Sequence, residues 1–474
     1  MSEHCFLAFD IGATSGRAVV GTLDGVRFEM EEIHRFANPL IEWNGRFYWD
    51  VYQLYQSLVD SLTRCADRGL QIESIGIDTW GVDFGCLAAD GTLLGLPRAY
   101  RDPYTDGAPE QFFREHLSRE EVYQRTGIQV LPFNSLYQFY RARLEHFAPL
   151  ALADRILFVP DLLAYMLTGQ SVCERTIAST SQLLDPRTGR FDPALLQAVG
   201  LQSSQLGTLV EPGTVIGRLS AALGRQTGVG EVPVVAVAGH DTASAIVAVP
   251  ADTPRFAYMN SGTWSLMGIE SETPIITEDS FRFNFTNEGG IEGTIRFLKN
   301  ITGMWILERC RAEWKRQGHA YSYAELEQMA QASSFASRIQ PDDASFANPE
   351  RMTQAIVDSC RAQGVAVPES DADFVHCIFY SLADRYREVL QMLDQMADFP
   401  IQQLHVIGGG SQNRLLNQLT ANAIGRSVVA GPSEATAIGN CMVQAKAAGC
   451  VKDRWEIRRI VRDSFSLETY QPEC

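Results

Sequence analysis

The chain has 474 residues, 45% of them hydrophobic and 20% charged, the balance of a globular protein long enough for two domains of ordinary size. Its 57 acidic against 40 basic residues leave a formal net charge of −17, which disfavours nucleic acid or an anionic membrane as partner. No apolar run approaches the roughly 18 residues that span a bilayer. The opening MSEHCFLAFDIG lacks the basic start and long apolar core of a signal peptide, so a cytoplasmic protein is expected. Ten cysteines are scattered with no C-x-x-C pair, which argues against a zinc site. Cys360 and Cys377 are expected as free thiols, the default of a reducing compartment.

The first segment reads as a strand (Phe6 to Asp10), a small-residue turn (Gly12 to Gly16) and a second strand from Arg17 to Leu23. A third strand follows Asp24-Gly25 and runs from Val26 to about Phe36. A helix over Val51–Asp67 and a strand over Ser74–Asp78 complete a βββαβ order, which implies a mixed sheet covered by helices. The middle third reads as mostly helical. Ser118 and Glu121 form a capping-box pattern, and Pro160 opens an apolar helix that ends at Gly169.

Near residue 245 the pattern restarts. Strands are predicted over Arg255–Asn260, Trp264–Ile269 and Arg282–Thr286, with the turn Ser261-Gly262-Thr263 between the first two. Leu404–Ile407 runs into Gly408-Gly409-Gly410, followed by a helix over Gln412–Ile424. A strand over Ser427–Ala430 and a helix from Glu434 to about Ala448 close the second half. AFDIGATSGRAVV and YMNSGTWSLMG echo each other as strand, small polar turn, strand. The expected division is residues 1–245 and 246–474.

Three constellations carry chemistry. In Asp10-Ile11-Gly12-Ala13-Thr14-Ser15-Gly16-Arg17, small residues let backbone N–H groups approach anionic oxygens, and Thr14 and Ser15 add hydroxyl donors. Arg17 adds fixed positive charge, and Asp10 at the strand end suits Mg²⁺ held through water. A plain hairpin turn competes with that reading. In Gly239-His240-Asp241-Thr242-Ala243-Ser244, an apolar strand (Val234–Ala238) delivers an aspartate to a helix start, where the dipole and free amides keep it ionised. A simple N-cap is the competing reading. Gly408-Gly409-Gly410 admits a flat adenine or ribose against the backbone, yet it is neither a Walker A loop nor a dinucleotide fingerprint.

Together these blocks resemble the FGGY carbohydrate kinases, a branch of the hexokinase–actin ATPase superfold. DIGATSGR is similar to the first phosphate motif, NSGTWSL to the second and VIGGGSQNRLLNQL to the adenosine motif. The likeness runs from about residue 5 to residue 450. SIGIDTWGVDF, GLPRAYRD, LPFNSLYQ, GHDTASA, TNEGG and LKNITGMW look like the branch acting on L-rhamnulose, with L-fuculose or xylulose as the alternative ketoses. The resemblance implies two RNase H-like α/β domains with the site in the cleft between them, the first mainly binding sugar and the second mainly nucleotide. It implies ATP and Mg²⁺ as cofactors and a ketose phosphorylated at its 1-hydroxyl. It implies Asp241 as the catalytic base, with Gly81, His240, Asp241, Thr242 and Asn300 at the sugar. It sets Ala13, Thr14, Ser15, Gly16, Arg17, Thr263, Glu308 and Gly409 at ATP. Glu308 stands where a glutamine is the less surprising residue, since a carboxylate cannot donate as an amide does. Trp80 is read either as a wall for the sugar's methyl group or as core.

Overall fold

The computed structural model describes residues 3–473. Its first sheet has six strands: β1 (His4–Ile11), β2 (Ser15–Leu23), β3 (Phe28–Ala37), β4 (Ser74–Thr79), β5 (Thr214–Arg218) and β6 (Pro233–Ala236). They lie in the order β5-β6-β4-β1-β2-β3. β1, β2 and β3 are antiparallel neighbours, β4 is parallel to β1, and β6 is parallel to β4. The second sheet holds β7 (Phe256–Ser261), β8 (Trp264–Ser271), β9 (Thr286–Gly289), β10 (Ile295–Thr302), β11 (Gln403–Ile407), β12 (Val428–Ala430) and β13 (Glu468–Tyr470). Its order is β9-β10-β8-β7-β11-β12-β13. β7 pairs antiparallel with β8 and parallel with β11, and β12 pairs antiparallel with the edge strand β13. Apart from β9 the second sheet repeats the first strand for strand, so the echo of the two small-residue turns reflects a repeated architecture.

Local chemistry explains the element ends. Asp50 caps the helix Val51–Asp67 by accepting from Gln53 N at 3.0 Å, and Val51, Leu54, Leu58, Leu62 and Cys65 fill its buried face. The Ser118–Glu121 capping box is present, and the helix Val159–Thr168 has Pro160 in its first turn and stops at a left-handed Gly169. The strand expected over Arg282–Thr286 is not there. Thr277 and Ser280 form a reciprocal cap that makes Glu278–Arg282 a helix, and extended backbone begins only at Thr286. The helix expected from Gln412 begins at Arg414, because Gly409–Gln412 is a 3₁₀ turn and Asn413 caps the α-helix by accepting from Leu416 N. The 26-residue helix Asp371–Met396 is not among the elements predicted from sequence.

Contacts divide the chain into two compact units. The first takes residues up to Asp252, Glu270–Phe297 and Ala435–Ser464; the second takes Thr253–Ile269, Leu298–Glu434 and the residues from Phe465 on. Two apolar clusters lie in the first unit. One packs Leu7, Phe9, Val20, Leu54, Leu58, Ile75, Ile77 and Leu162 around the sheet, and the other gathers Phe84, Phe112, Tyr137, Tyr140, Ile156 and Leu195 in the helical middle segment. Helix Ala435–Ala447, expected from sequence to close the second half, belongs to the first unit. Gln444 donates to Leu7 O at 3.0 Å and accepts from Ser74 Oγ at 2.7 Å. Among the described residues no helix is long and apolar enough to cross a membrane.

Candidate active site

The turn between β1 and β2 is tied from below. Gly12 N donates to Ser15 O at 2.9 Å, Asn38 Nδ2 donates to Gly12 O at 3.0 Å and Asn38 N to Thr14 O at 3.0 Å. Thr14 is exposed and Gly16 is buried, where a Cβ would lie 2.3 Å from the Phe36 ring. Gly16 is therefore required by packing whatever it binds. Arg17 directs both Nε (3.0 Å) and Nη2 (2.7 Å) onto Asp10 Oδ2, so its charge steadies Asp10 in this state.

Parallel pairing of β1 with β4 sets Asp10 opposite Asp78. Asp78 is fully buried, and its Oδ2 accepts from Asn440 Nδ2 at 2.6 Å while Oδ1 has no hydrogen-bond partner. Burial and then the charge of Asp10 push the Asp78 carboxyl well above the usual carboxylate range. Asn440 pulls it the other way, and the more distant Asp241 adds to the rise. Three carboxylates from three segments thus sense one another.

Beyond Asp78 the chain is strained. Val82, a β-branched residue, sits at φ 69°. Thr180 Oγ1 accepts from its N–H at 3.0 Å, and Ser135 Oγ donates to its carbonyl at 2.5 Å, which together hold the conformation. Gly81 lies directly before it, its backbone closed in by Thr180. Trp80 is core: it is 5% exposed, its ring lies tilted against Trp49 with centroids 4.2 Å apart, and it donates to Asp83 Oδ2 at 3.0 Å. Asp83 also accepts from Trp49 Nε1, Tyr100 N and Gln138 Nε2, a buried polar hub that sequence reasoning missed. Its only signal is an aspartate between Val82 and Phe84 in an otherwise apolar stretch.

The Gly239–Thr242 segment is held from beneath by Glu174. That buried carboxylate accepts from Gly239 N at 2.9 Å, and Thr176 Oγ1 accepts from His240 N at 3.3 Å. Gly239 O in turn accepts from Thr79 N, which joins the segment to β4. Asp241 is the first residue of the helix Asp241–Val247, with His240 as its N-cap. Oδ1 of Asp241 accepts from Thr242 N at 2.5 Å and Thr242 Oγ1 at 3.1 Å, and His240 Nε2 stands 3.4 Å from the same oxygen. Every one of these neighbours converges on Oδ1, and the side chain is 32% exposed. On its other side, the His240 ring meets Glu288 and Arg296.

In the second unit Thr263 O accepts from Trp305 N and Gly262 O from Met304 N, both at 3.1 Å, which fixes the β7–β8 turn to the start of the helix Trp305–Arg316. Gly410 lies so close to that turn that a Cβ would be 2.0 Å from Ser261 Oγ, and Gly408 takes φ 77° beside Asn260. Gly409 alone of the three faces open space. Asn300 lies half-buried on β10. Glu308, in the first turn of the Trp305 helix, already accepts from Arg311 Nη1 at 2.9 Å and Tyr323 OH at 2.8 Å. Trp264, 53% exposed beside the turn, was not singled out from sequence.

The structure thus brings Asp10, Ala13–Arg17, Gly81 and His240–Thr242 into the first unit, and Thr263, Asn300, Glu308 and Gly409 into the second. Residues 5–248 match the N-terminal domain and residues 257–448 the C-terminal domain of the FGGY family of carbohydrate kinases. Among curated proteins the chain is 55% identical over 469 residues to a rhamnulokinase of Bacteroides thetaiotaomicron, covering 99% of this chain and 96% of that one. It is 40% identical over 470 residues to a rhamnulokinase of Bacillus subtilis, covering 99% and 95%. Among solved structures, a gluconate kinase and a ligand-bound xylulose kinase, both from Lactobacillus acidophilus, superpose with TM-scores of 0.82 at 15% identity. They cover 100% and 99% of this chain and 94% of each of their own, a likeness of fold. With both family domains matched in order along nearly its whole length, the chain belongs to the FGGY family of carbohydrate kinases.

Proposed function

We propose that this kinase transfers the γ-phosphoryl group of ATP to the 1-hydroxyl of L-rhamnulose, giving L-rhamnulose 1-phosphate and ADP in L-rhamnose catabolism, and that it does so in the cytoplasm. The observation that carries the chemistry is the asymmetry of Asp241. Thr242 donates twice to Oδ1, with His240 Nε2 3.4 Å from the same oxygen, and Oδ2 keeps its lone pairs for an incoming hydroxyl. The identity to rhamnulokinases supports the choice of sugar.

In this reading Asp241 accepts the proton of O1 as that oxygen attacks phosphorus in line. A free hydroxyl is too weak an acid to be stripped beforehand, so the proton moves late, as a loose transition state allows. Gly81, His240, Thr242 and Asn300 hold the sugar. Ala13–Arg17, Thr263, Glu308 and Gly409 hold ATP, so residues 1–245 serve mainly the sugar and 246–474 mainly the nucleotide. Arg311 and Tyr323 orient the Glu308 carboxylate, which suits it to accept from the ribose hydroxyls or the adenine amine.

The residues fit a hard, oxygen-loving cation such as Mg²⁺. Asp10 would hold it through water, beside the buried Asp78 Oδ1 that lacks a partner. When bound, the ion offsets phosphate charge.

Turnover on a panel of L-rhamnulose, L-fuculose and xylulose, with the phosphate position assigned by NMR, tests the proposal. Preference for L-rhamnulose with phosphate on O1 is expected, and a higher kcat/KM on another ketose overturns the choice of sugar.

A further inference from the structure

Glu288 ends up beside His240 because β9 and β10 form a hairpin that carries Glu288 on one strand and Arg296 on the other. Arg296 is 1% exposed at its side chain and is anchored twice: Nε donates to Gly289 O at 2.8 Å and Nη2 donates to Glu288 Oε2 at 2.9 Å. Burial alone would raise the Glu288 carboxyl, but the Arg296 guanidinium beside it holds the group below the usual carboxylate range. Glu288 is thus a fixed anion and Arg296 a fixed cation.

His240 Nδ1 stands 3.2 Å from Arg296 Nη2 and 3.2 Å from Glu288 Oε2, and its Nε2 stands 3.4 Å from Asp241 Oδ1. The two neutral tautomers are not equivalent here. With the proton on Nδ1, the ring would donate to Glu288 but press an N–H against the guanidinium. Its Nε2 lone pair would also face a carboxylate. With the proton on Nε2, Nδ1 accepts the second N–H of Arg296 Nη2, and Nε2–H faces Asp241 Oδ1. The first arrangement makes two like-sign contacts and the second only one, the Nδ1 lone pair near Glu288 Oε2, which is offset by the Arg296 Nη2 that both atoms share; the partner of one ring nitrogen decides which nitrogen carries the proton.

We propose that Glu288 and Arg296 are positioning residues, which select the Nε2–H tautomer of His240 and through it orient Asp241. The inference rests on the reading of Asp241 as the base. Nε2–H becomes the third donor on Oδ1, so the basic lone pairs are confined to Oδ2. The 3.4 Å separation is long for a hydrogen bond and shortens when substrate fills the site. Glu288 holds the guanidinium in the one plane from which Nη2 reaches both Oε2 and Nδ1, since without it the side chain is tied only at Gly289 O.

The test reads the ring directly. Enzyme carrying [¹⁵N]histidine, with His240 assigned by loss of its signals in His240→Gln, is examined by long-range ¹H–¹⁵N correlation under mildly alkaline conditions where imidazoles are neutral. In the unsubstituted enzyme Nδ1 should resonate as an unprotonated ring nitrogen and Nε2 as a protonated one. Arg296→Met should move the proton toward Nδ1 and lower kcat by up to about 10²-fold, as misplaced catalytic groups do, with KM for ATP unchanged. Arg296→Lys, which restores a donor, should recover part of both. Glu288→Gln keeps the shape of the hairpin and serves if Arg296→Met does not fold; it should shift the tautomer the same way. A protonated Nδ1 in the unsubstituted enzyme, or an unchanged tautomer in the folded variants, overturns the proposal. If the ring behaves as expected while Asp241→Asn turns over normally, the base assignment fails instead.

Discussion

Asn440 donates to Asp78 across 362 residues of sequence, at 2.6 Å. One residue earlier, Gly439 brings the helix Ala435–Ala447 so close to the helix of Asp241 that an added Cβ would lie 1.8 Å from Ser244 O. A single C-terminal helix therefore sets both the carboxylate at the end of β4 and the helix that carries Asp241. Backbone cannot give way as a side-chain tip can, so Gly439→Ala should destabilise the protein by about 1–3 kcal/mol. Urea unfolding measures this; a variant within error of the parent would mean that the two helices separate easily.

Asp241→Asn should leave sugar and ATP affinity nearly intact and lower kcat by about 10²–10⁴-fold, the usual contribution of a general base. The amide keeps the contacts of Oδ1 but puts a non-basic group at Oδ2. Steady-state kinetics with calorimetric binding of both ligands checks it, and near-parental kcat would remove Asp241 from the mechanism.

Arg17 binds Asp10 through two nitrogens on one oxygen, so its substitution acts on the first turn and on Asp10 together. Arg17→Ala should raise KM for ATP or depress kcat while the sugar's Kd barely moves. A change confined to sugar affinity would show that this turn does not serve the nucleotide.

The glycine triplet separates binding from folding. A Cβ on Gly410 would meet Ser261 at 2.0 Å, whereas one on Gly409 meets nothing within 4 Å. Gly410→Ala should lower Tm, and Gly409→Ala should fold normally yet weaken ATP binding, because its methyl would occupy ligand space. Thermal unfolding beside nucleotide titration distinguishes the two. Unchanged ATP affinity in Gly409→Ala would move the nucleotide away from this turn.

Asp83 contributes to the pH dependence of stability. Burial raises its carboxyl from 3.8 to about 6, against the pull of Trp49, Gln138, Tyr100 and Trp80. The folded state therefore binds this proton more tightly than the unfolded chain. The contribution to stability is full below about pH 4 and is lost as pH rises through about 6. Asp83→Asn, which cannot titrate, should remove that slope from a plot of stability against pH. An identical slope in both proteins would assign it to another group.

Local chemistry made much of the molecule legible. Helix Val51–Asp67, expected around those residues, is legible because its cap Asp50 and the i, i+4 spacing of Leu54, Leu58 and Leu62 are local features. The three Gly-rich turns, the paired strand-turn-strand segments and the family likeness are visible because each depends on neighbours within a dozen residues. The register that sets Asp10 opposite Asp78 is not, nor is the membership of helix Ala435–Ala447 in the first unit. The strain at Val82, the Asp83 hub and the Glu288–Arg296–His240 array are equally hidden. Each of these rests on partners tens to hundreds of residues apart, joined by strand register and helix packing. No propensity or spacing in a linear chain records which distant donor will meet a buried carboxylate; only the folded sheet order decides that.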